Sequence, residues 1–302
     1  MSREVTEAHY LHERSGLEAV LRPPVKAPTA LRWVPKREEL IVGTEAGELI
    51  SVDPVLGTRT IGEQLGMIAA IDVHQDRLRY LAVSRENRFF IGTLKGAKLF
   101  EGRHAFMGNI EATFAEKHAL ITGDEPEARM LLIVSLDSGE ITARVRLPAR
   151  VVPTLTPGEP PTGGKPLLCR STPAGLVVIP LGRGSAFPKD LESTAHRLRS
   201  SDQFILGFTT TGICVWGQEG GVPRSMRLPD LTAGDISQNG QYLGLGTKNG
   251  AVALARMDKI EKRVRPDLVR AFNNPVSSVA FSERGKWLAT GAEALRIWSW
   301  ED

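Results

Sequence analysis

Thiols are scarce: only Cys169 and Cys214 occur in 302 residues, and both sit inside apolar runs, PLLCRS and GICVWG. So few cysteines, in such runs, favour buried thiols over a disulfide framework and suit a reducing cytoplasm, the location expected here. No stretch approaches the roughly 18 apolar residues of a membrane span. The opening MSREVTEAHYLHERSG is charged from its third residue and lacks the apolar core of a secretory leader. No membrane insertion is expected. One-sided charge is missing too. The 38 Lys and Arg stand against 35 Asp and Glu, a net +3 that is too small to imply nucleic acid. Aromatic residues are few, with ten Phe, five Trp and three Tyr. That leaves little to stack on bases, which again argues against nucleic acid. Helical periodicity is weak as well. Only MDKIEKRVRPDLVRAF carries a helix-like charge pattern, and Pro266 falls inside it.

What the chain does contain is one unit, repeated. Its last 28 residues read PVSSVAFSERGKWLATGAEALRIWSWED and divide into VSSVAFS, KWLAT and LRIWSW, separated by the turns ERG and GAEA. The same strand, hydroxyl residue, polar turn and strand recur in ELIVGTEAGELISVD, RYLAVSRENRFFIG, HALITGDEPEARMLLIVSLD, PLLCRSTPAGLVVIPL, QFILGFTTTGICVWG and QYLGLGTKNGAVALAR. The hydroxyl positions are Thr44, Ser84, Thr122, Thr172, Thr209, Thr247 and Thr290, at intervals of 40, 38, 50, 37, 38 and 43 residues. Spacing near 40 is that of propeller blades. Strands such as LIVG, LLIVSL and LVVIPL are apolar nearly throughout, as expected where both faces of a sheet are covered. The longest interval contains TPGEPPTGGKP, residues 156–166, whose prolines and glycines predict an inserted surface loop. After Thr290 only one strand remains, whereas residues 1–27 are surplus to the first unit. Within them EAHYLHERSG is expected to supply the outer strand of the last unit and so close a ring.

PVSSVAFSERGKWLATGAEALRIWSW and LTAGDISQNGQYLGLGTKNGAVALA resemble repeats of the WD-repeat β-propellers, with Trp298 and Ser299 where the Trp-Asp dipeptide would stand and Val52 and Asp53 as a similar echo. The match is good over 230–302, fair over 28–92 and poor between 100 and 200. The family's Gly-His dipeptide before the first strand is missing from every unit, and with it the His-Ser-Asp-Trp hydrogen-bond network of typical members. The resemblance implies a divergent all-β, seven-bladed propeller occupying 1–302 as one domain. It also implies a non-catalytic scaffold or adaptor for protein partners, without a cofactor. QYLGLGTKNGAVAL is in addition similar to the exchange-factor propeller acting on the small GTPase of endoplasmic reticulum vesicle coats. That regulatory role is the second reading, and a nucleic-acid binder the third.

No catalytic or metal-binding constellation is expected from the sequence. His9 and His12, three apart, would point to opposite faces of a strand and make a poor metal pair. His74, His104, His118 and His196 lie near turns or strand ends without clustered partners. PTGGKP has Glu159 where a phosphate loop needs glycine and Pro166 where it needs Ser or Thr. LGLGTKNG sits between two strands and is one residue out of step with a dinucleotide fingerprint. GRGSA around Ser185 lacks the second glycine of a nucleophile elbow. Asp72 and Asp235 occupy equivalent places in IAAIDVHQ and LTAGDISQ, and the expected role for each is a bond to the backbone of a neighbouring blade.

Binding surfaces are the stronger signal. DKIEKRVRPDLVR carries Lys259, Lys262, Arg263, Arg265 and Arg270 and ranks first as a site for an acidic partner protein, followed by Arg144, Arg146 and Arg150 of TARVRLPAR. Turns joining second to third strands include Glu45, Glu86, Glu125, Glu127 and Glu293. Turns at the opposite end include Lys36, Arg37, Lys117, Lys165, Lys259 and Lys262. One acidic and one basic end are therefore expected.

Overall fold

The structure is a computed structural model that describes residues 17–53, 56–74, 78–115, 117–147, 152–155, 167–172, 175–180, 187–189, 197–201, 203–209, 212–217, 224–228, 230–261, 266, 268–283 and 285–300. Strand β1 (Leu17–Leu21) precedes a first sheet of β2 (Pro28–Trp33), β3 (Leu40–Thr44), β4 (Leu49–Asp53) and β5 (Gly57–Gly62). The second holds β6 (Ile68–His74), β7 (Arg79–Ser84), β8 (Arg88–Thr93) and β9 (Lys98–Arg103), and the third β10 (Gly108–Ala115), β11 (His118–Asp124), β12 (Arg129–Ser135) and β13 (Ile141–Leu147). The fourth holds β14 (Val152–Leu155), β15 (Leu167–Thr172), β16 (Gly175–Pro180) and β17 (Phe187–Lys189), and the fifth β18 (Arg197–Ser200), β19 (Phe204–Thr209), β20 (Gly212–Gly217) and β21 (Arg224–Arg227). In the sixth, β22 (Leu231–Ile236), β23 (Tyr242–Thr247) and β24 (Ala251–Arg256) lead into a short helix α1 (Met257–Glu261) before β25 (Val269–Arg270). The seventh runs β26 (Ser278–Phe281), β27 (Leu288–Gly291), β28 (Leu295–Trp300) and then β1. Strands are antiparallel within each sheet, and the first strands of successive sheets lie side by side, with β26 beside β2.

Burial explains the apolar runs. All of Leu40–Thr44 is buried, as is Tyr80–Ser84, because these second strands have a sheet on either side. Fourth strands sit at the rim: Gly57–Thr60 is exposed, and Lys98–Arg103 has no fully buried residue. All seven hydroxyl anchors fall in second strands. The contacts give the reason for their spacing. Thr44 Oγ1 accepts from the Glu48 amide at 3.0 Å, Ser84 Oγ donates to the Arg88 carbonyl at 3.3 Å, and Thr247 Oγ1 accepts from the Ala251 amide at 3.0 Å. These three hydroxyls close the tight turn to the third strand, bonding four residues on. A further repeat escapes the sequence pattern. The first strand carries a register shift near its start in the first, second, third and sixth sheets, between Pro28 and Ala30, Ile68 and Ala70, Gly108 and Glu111, and Leu231 and Ala233.

Three sequence expectations change. The strand that pairs with β28 is LEAVL, with Leu17 opposite Trp300, Ala19 opposite Trp298 and Leu21 opposite Ile297. EAHYLHERSG, residues 7–16, lies outside the described residues. LEAVL is the better match to LRIWSW because an outer strand beside buried Ile297 and Trp298 needs apolar side chains. The helix-like segment does form a helix, described over Met257–Glu261, ahead of Pro266. One link of the WD-repeat network is also present: Trp298 Nε1 donates to Thr290 Oγ1 at 2.7 Å, both residues fully buried. The inserted segment 156–166 lies outside the described residues, between the paired strands β14 and β15.

The first and last sheets are bonded to each other. Trp33 Nε1 donates to the Ala280 carbonyl at 3.0 Å, Ser277 Oγ to the Pro28 carbonyl, and the Lys36 amide to Glu283. Lys286 faces Glu38 at 3.9 Å. A shared cluster of Val25, Trp33, Leu40 and Val42 with Ala280, Ala289, Leu295 and Ile297 lies between them.

Candidate protein-binding surface

The strands present two rims. The upper holds the second-to-third turns and the links between sheets, and the lower holds the first-to-second and third-to-fourth turns. Helix α1 continues directly from β24 and so lies on the lower rim. It forms because Met257 and Ile260, three apart, bury one face in a cluster with Leu243, Leu245 and Ala255 while Asp258 and Lys259 face solvent. Asp258 in its first turn also suits the helix dipole. The Met257 amide donates to the Gln241 carbonyl at 2.7 Å, which ties the helix to the neighbouring turn. Beside it a pocket of about 340 Å³ is lined by Gln203 and Phe204 of the fifth sheet and Gln241, Tyr242, Arg256 and Asp258 of the sixth.

Of the basic residues singled out in the sequence, Lys259 and Arg270 do not share a patch. Lys259 is exposed on α1, whereas Arg270 is opposite Ala251 at the other end of β24. Six strand residues separate the two, about 20 Å. Lys262, Arg263, Arg265 and Arg150 lie outside the described residues. Arg144 and Arg146 are exposed on β13, the outer strand of the third sheet, and Arg146 Nη2 donates to the Glu127 carbonyl at 3.2 Å. The two rims are divided less sharply by charge than expected, since exposed Arg85 and Lys248 share the upper turns with the glutamates. Glu45, Glu86, Glu125, Glu127 and Glu293 do occupy upper turns. On the lower rim, Arg37 faces Glu39 at 3.8 Å, Arg256 faces Asp258 at 3.2 Å and Lys286 faces Glu38, so its sign is mixed too.

The inner edges of the sheets carry polar ties that stitch one sheet to the next. Asp72 on β6 accepts from the Phe114 amide at 2.7 Å and from Thr113 Oγ1 at 2.9 Å, both on β10. Its other oxygen sits 2.7 Å from Arg32 Nε on β2, a close ion pair too poorly aligned to be a hydrogen bond. Asp235 on β22 accepts from the Phe281 amide on β26 at 2.9 Å. Both aspartates bond a neighbouring sheet's backbone, as the sequence led us to expect. Desolvation pushes the Asp235 carboxyl above the ordinary carboxylate range, with Arg199, the Phe281 amide and Arg32 pulling the other way. Glu111 on β10 and Arg199 on β18 face each other at 3.8 Å, although β14 lies between their strands. Arg32, Glu111 and Arg199 escape sequence reading because an isolated charge in a first strand has no local pattern. Arg256 and the two glutamines escape it because their sheets meet only in three dimensions.

His104, in the link between the second and third sheets, is buried. Its Nδ1 accepts from the Phe106 amide at 3.0 Å, so Nε2 carries the proton and donates to the Ser84 carbonyl at 3.0 Å. The ring is therefore neutral, and burial holds its pKa below the ordinary value, against the pull of the Ser84 and Arg88 carbonyls. A depressed folded pKa gives stability that is complete above the unfolded value near 6.5 and is lost as pH falls from there toward the folded one. The melting temperature should accordingly fall more between about pH 7 and pH 5 in the native chain than in His104→Gln. Parallel melting curves across that range would refute the assignment. Among the described residues no group of three or more His, Cys, Asp or Glu side chains could hold a metal ion, and no helix is long and apolar enough to cross a membrane.

Antiparallel four-stranded sheets arrayed with their first strands side by side define an all-β propeller, the fold of the WD-repeat β-propellers. A solved structure similar to this chain is the Myceliophteria thermophila Cps50 (Swd1) β-propeller domain, with a TM-score of 0.72 and 16% sequence identity over 94% of this chain and 100% of that one. At that identity the likeness is one of fold. No family model matches the sequence, and no curated protein matches it.

Proposed function

We propose that the chain is a non-catalytic protein-interaction platform, a single seven-bladed propeller over 1–302 closed by β1, that engages an acidic protein partner in the cytoplasm. The ladder between β1 and β28, the contacts of β26 with β2 and the bonds between the first and last sheets support the ring. The observation that carries the function is on the lower rim. There a short helix held by Met257 and Ile260 displays Lys259 beside the exposed Arg256, next to a pocket shared by two sheets. Stacked sheets keep such a surface fixed, so little ordering entropy is lost on binding. Lys262, Arg263 and Arg265 follow Lys259 in sequence and extend the basic segment, while Arg144, Arg146 and Arg150, in the third sheet and the segment after it, form the second candidate surface.

An affinity pull-down compares the native chain with a variant carrying Lys259→Glu, Lys262→Glu, Arg263→Glu and Arg265→Glu. Loss of the co-purified proteins is the expected outcome, and an unchanged set of partners would reject this face. Salt-sensitive retention on nucleic acid would favour the nucleic-acid reading instead.

A further inference from the structure

We propose that the pocket between the fifth and sixth sheets seats a carboxylate side chain from an acidic peptide segment of the partner, a site that rests on the platform reading above and gives it an address. The lining is rich in donors. Arg256 uses Nε toward Asp258 Oδ1 at 3.2 Å, and its two terminal nitrogens form the fork that suits a carboxylate. Side chains in that pair are 60% and 49% exposed, so water has already weakened it and an incoming anion gives up little by sharing the guanidinium. The pair nonetheless keeps the guanidinium beside the pocket. Gln241 Oε1 accepts from Asn239 Nδ2 at 3.1 Å, which fixes the amide and leaves its NH2 as a donor, and the exposed Gln203 side chain brings a second NH2 to the pocket. Phe204 and Tyr242, both half-buried, give apolar walls for the stem of the side chain.

Shape and rigidity point the same way. A volume near 340 Å³ is at the lower end for ligand sites and fits one or two side chains better than a cofactor. Gly240 has φ +71°, and a Cβ there would come within 2.9 Å of the Phe204 ring, so turn and ring are fitted to each other before any partner arrives. Lys259, exposed on the adjacent helix, adds attraction for flanking carboxylates.

The test is fluorescence anisotropy of the full chain with a dye-labelled peptide of glutamates and two phenylalanines, against a matched lysine peptide. Saturable binding of the acidic peptide alone is expected, weakened at least about tenfold by Arg256→Gln and similarly by Gln203→Glu. Both positions are exposed, so unchanged melting temperatures serve as the folding control. No binding of the acidic peptide, or equal binding of the lysine peptide, overturns the pocket. So does displacement by inorganic phosphate that itself binds as tightly, which would mark a small-anion site. If the two pocket variants bind normally while the fourfold glutamate variant does not, the pocket is wrong and the platform reading stands. If none of the variants changes peptide binding or the pull-down, both fall.

Discussion

Asp72→Ala is expected to lower the unfolding free energy by about 3 kcal/mol, the range seen when one partner of a buried, hydrogen-bonded charge pair is removed. Three contacts go at once: the Phe114 amide, the Thr113 hydroxyl and the Arg32 guanidinium. The Asp72 side chain is only 4% exposed, so water cannot replace it at the amide, and an unmet buried donor carries its full desolvation cost. Arg32 is 31% exposed and can turn to solvent, which keeps the loss from being larger. Asp235→Ala makes the useful comparison. That carboxylate accepts one amide from β26, and desolvation already works against its charge, so about 1 kcal/mol is expected. Urea unfolding midpoints of the two variants, with Asp72→Asn between them, check the ranking. Equal losses at Asp72 and Asp235 would show that the ties to Thr113 and Arg32 contribute nothing.

That comparison also measures what the sequence could tell. The equivalence of IAAIDVHQ and LTAGDISQ was readable because both are first strands in the same register, and the role expected of their aspartates follows from that register. The partners differ, however, since Arg32 precedes Asp72 by 40 residues and no local signal links them. The anchors Thr44, Ser84 and Thr247 were readable for a local reason: a hydroxyl that closes a tight turn bonds four residues on, so it recurs wherever that turn recurs. The outer strand of the seventh sheet was harder. It is set by pairing across nearly the whole chain, and both EAHYLHERSG and LEAVL are available near the start. Choosing between them takes the burial of Ile297 and Trp298, which is a property of the folded chain. The basic run from Lys259 to Arg270 has its two ends apart for a simple geometric reason. It contains the passage from the third strand of a sheet to the fourth, and an antiparallel return carries its end to the opposite rim.

Truncation before residue 22 should be the most damaging change to the chain. It removes the ladder from Leu17–Trp300 to Leu21–Ile297 and the packing of Leu21 on the cluster that joins the first and last sheets. Several backbone hydrogen bonds at about 1 kcal/mol each, with one apolar side chain, give a loss on the order of 5 kcal/mol. In a chain of this size about 1 kcal/mol moves the melting temperature by roughly 2 °C, so a fall near 10 °C is expected. The edge of β28 would then be open to pairing with another molecule, and aggregation should accompany the fall. Truncation before residue 17 leaves the ladder whole and should shift melting far less. Scanning calorimetry of the two truncated chains separates the possibilities. A large loss already at the shorter truncation would return the pairing role to EAHYLHERSG, and no loss at the longer one would mean that the seventh sheet does not depend on its ladder to β1.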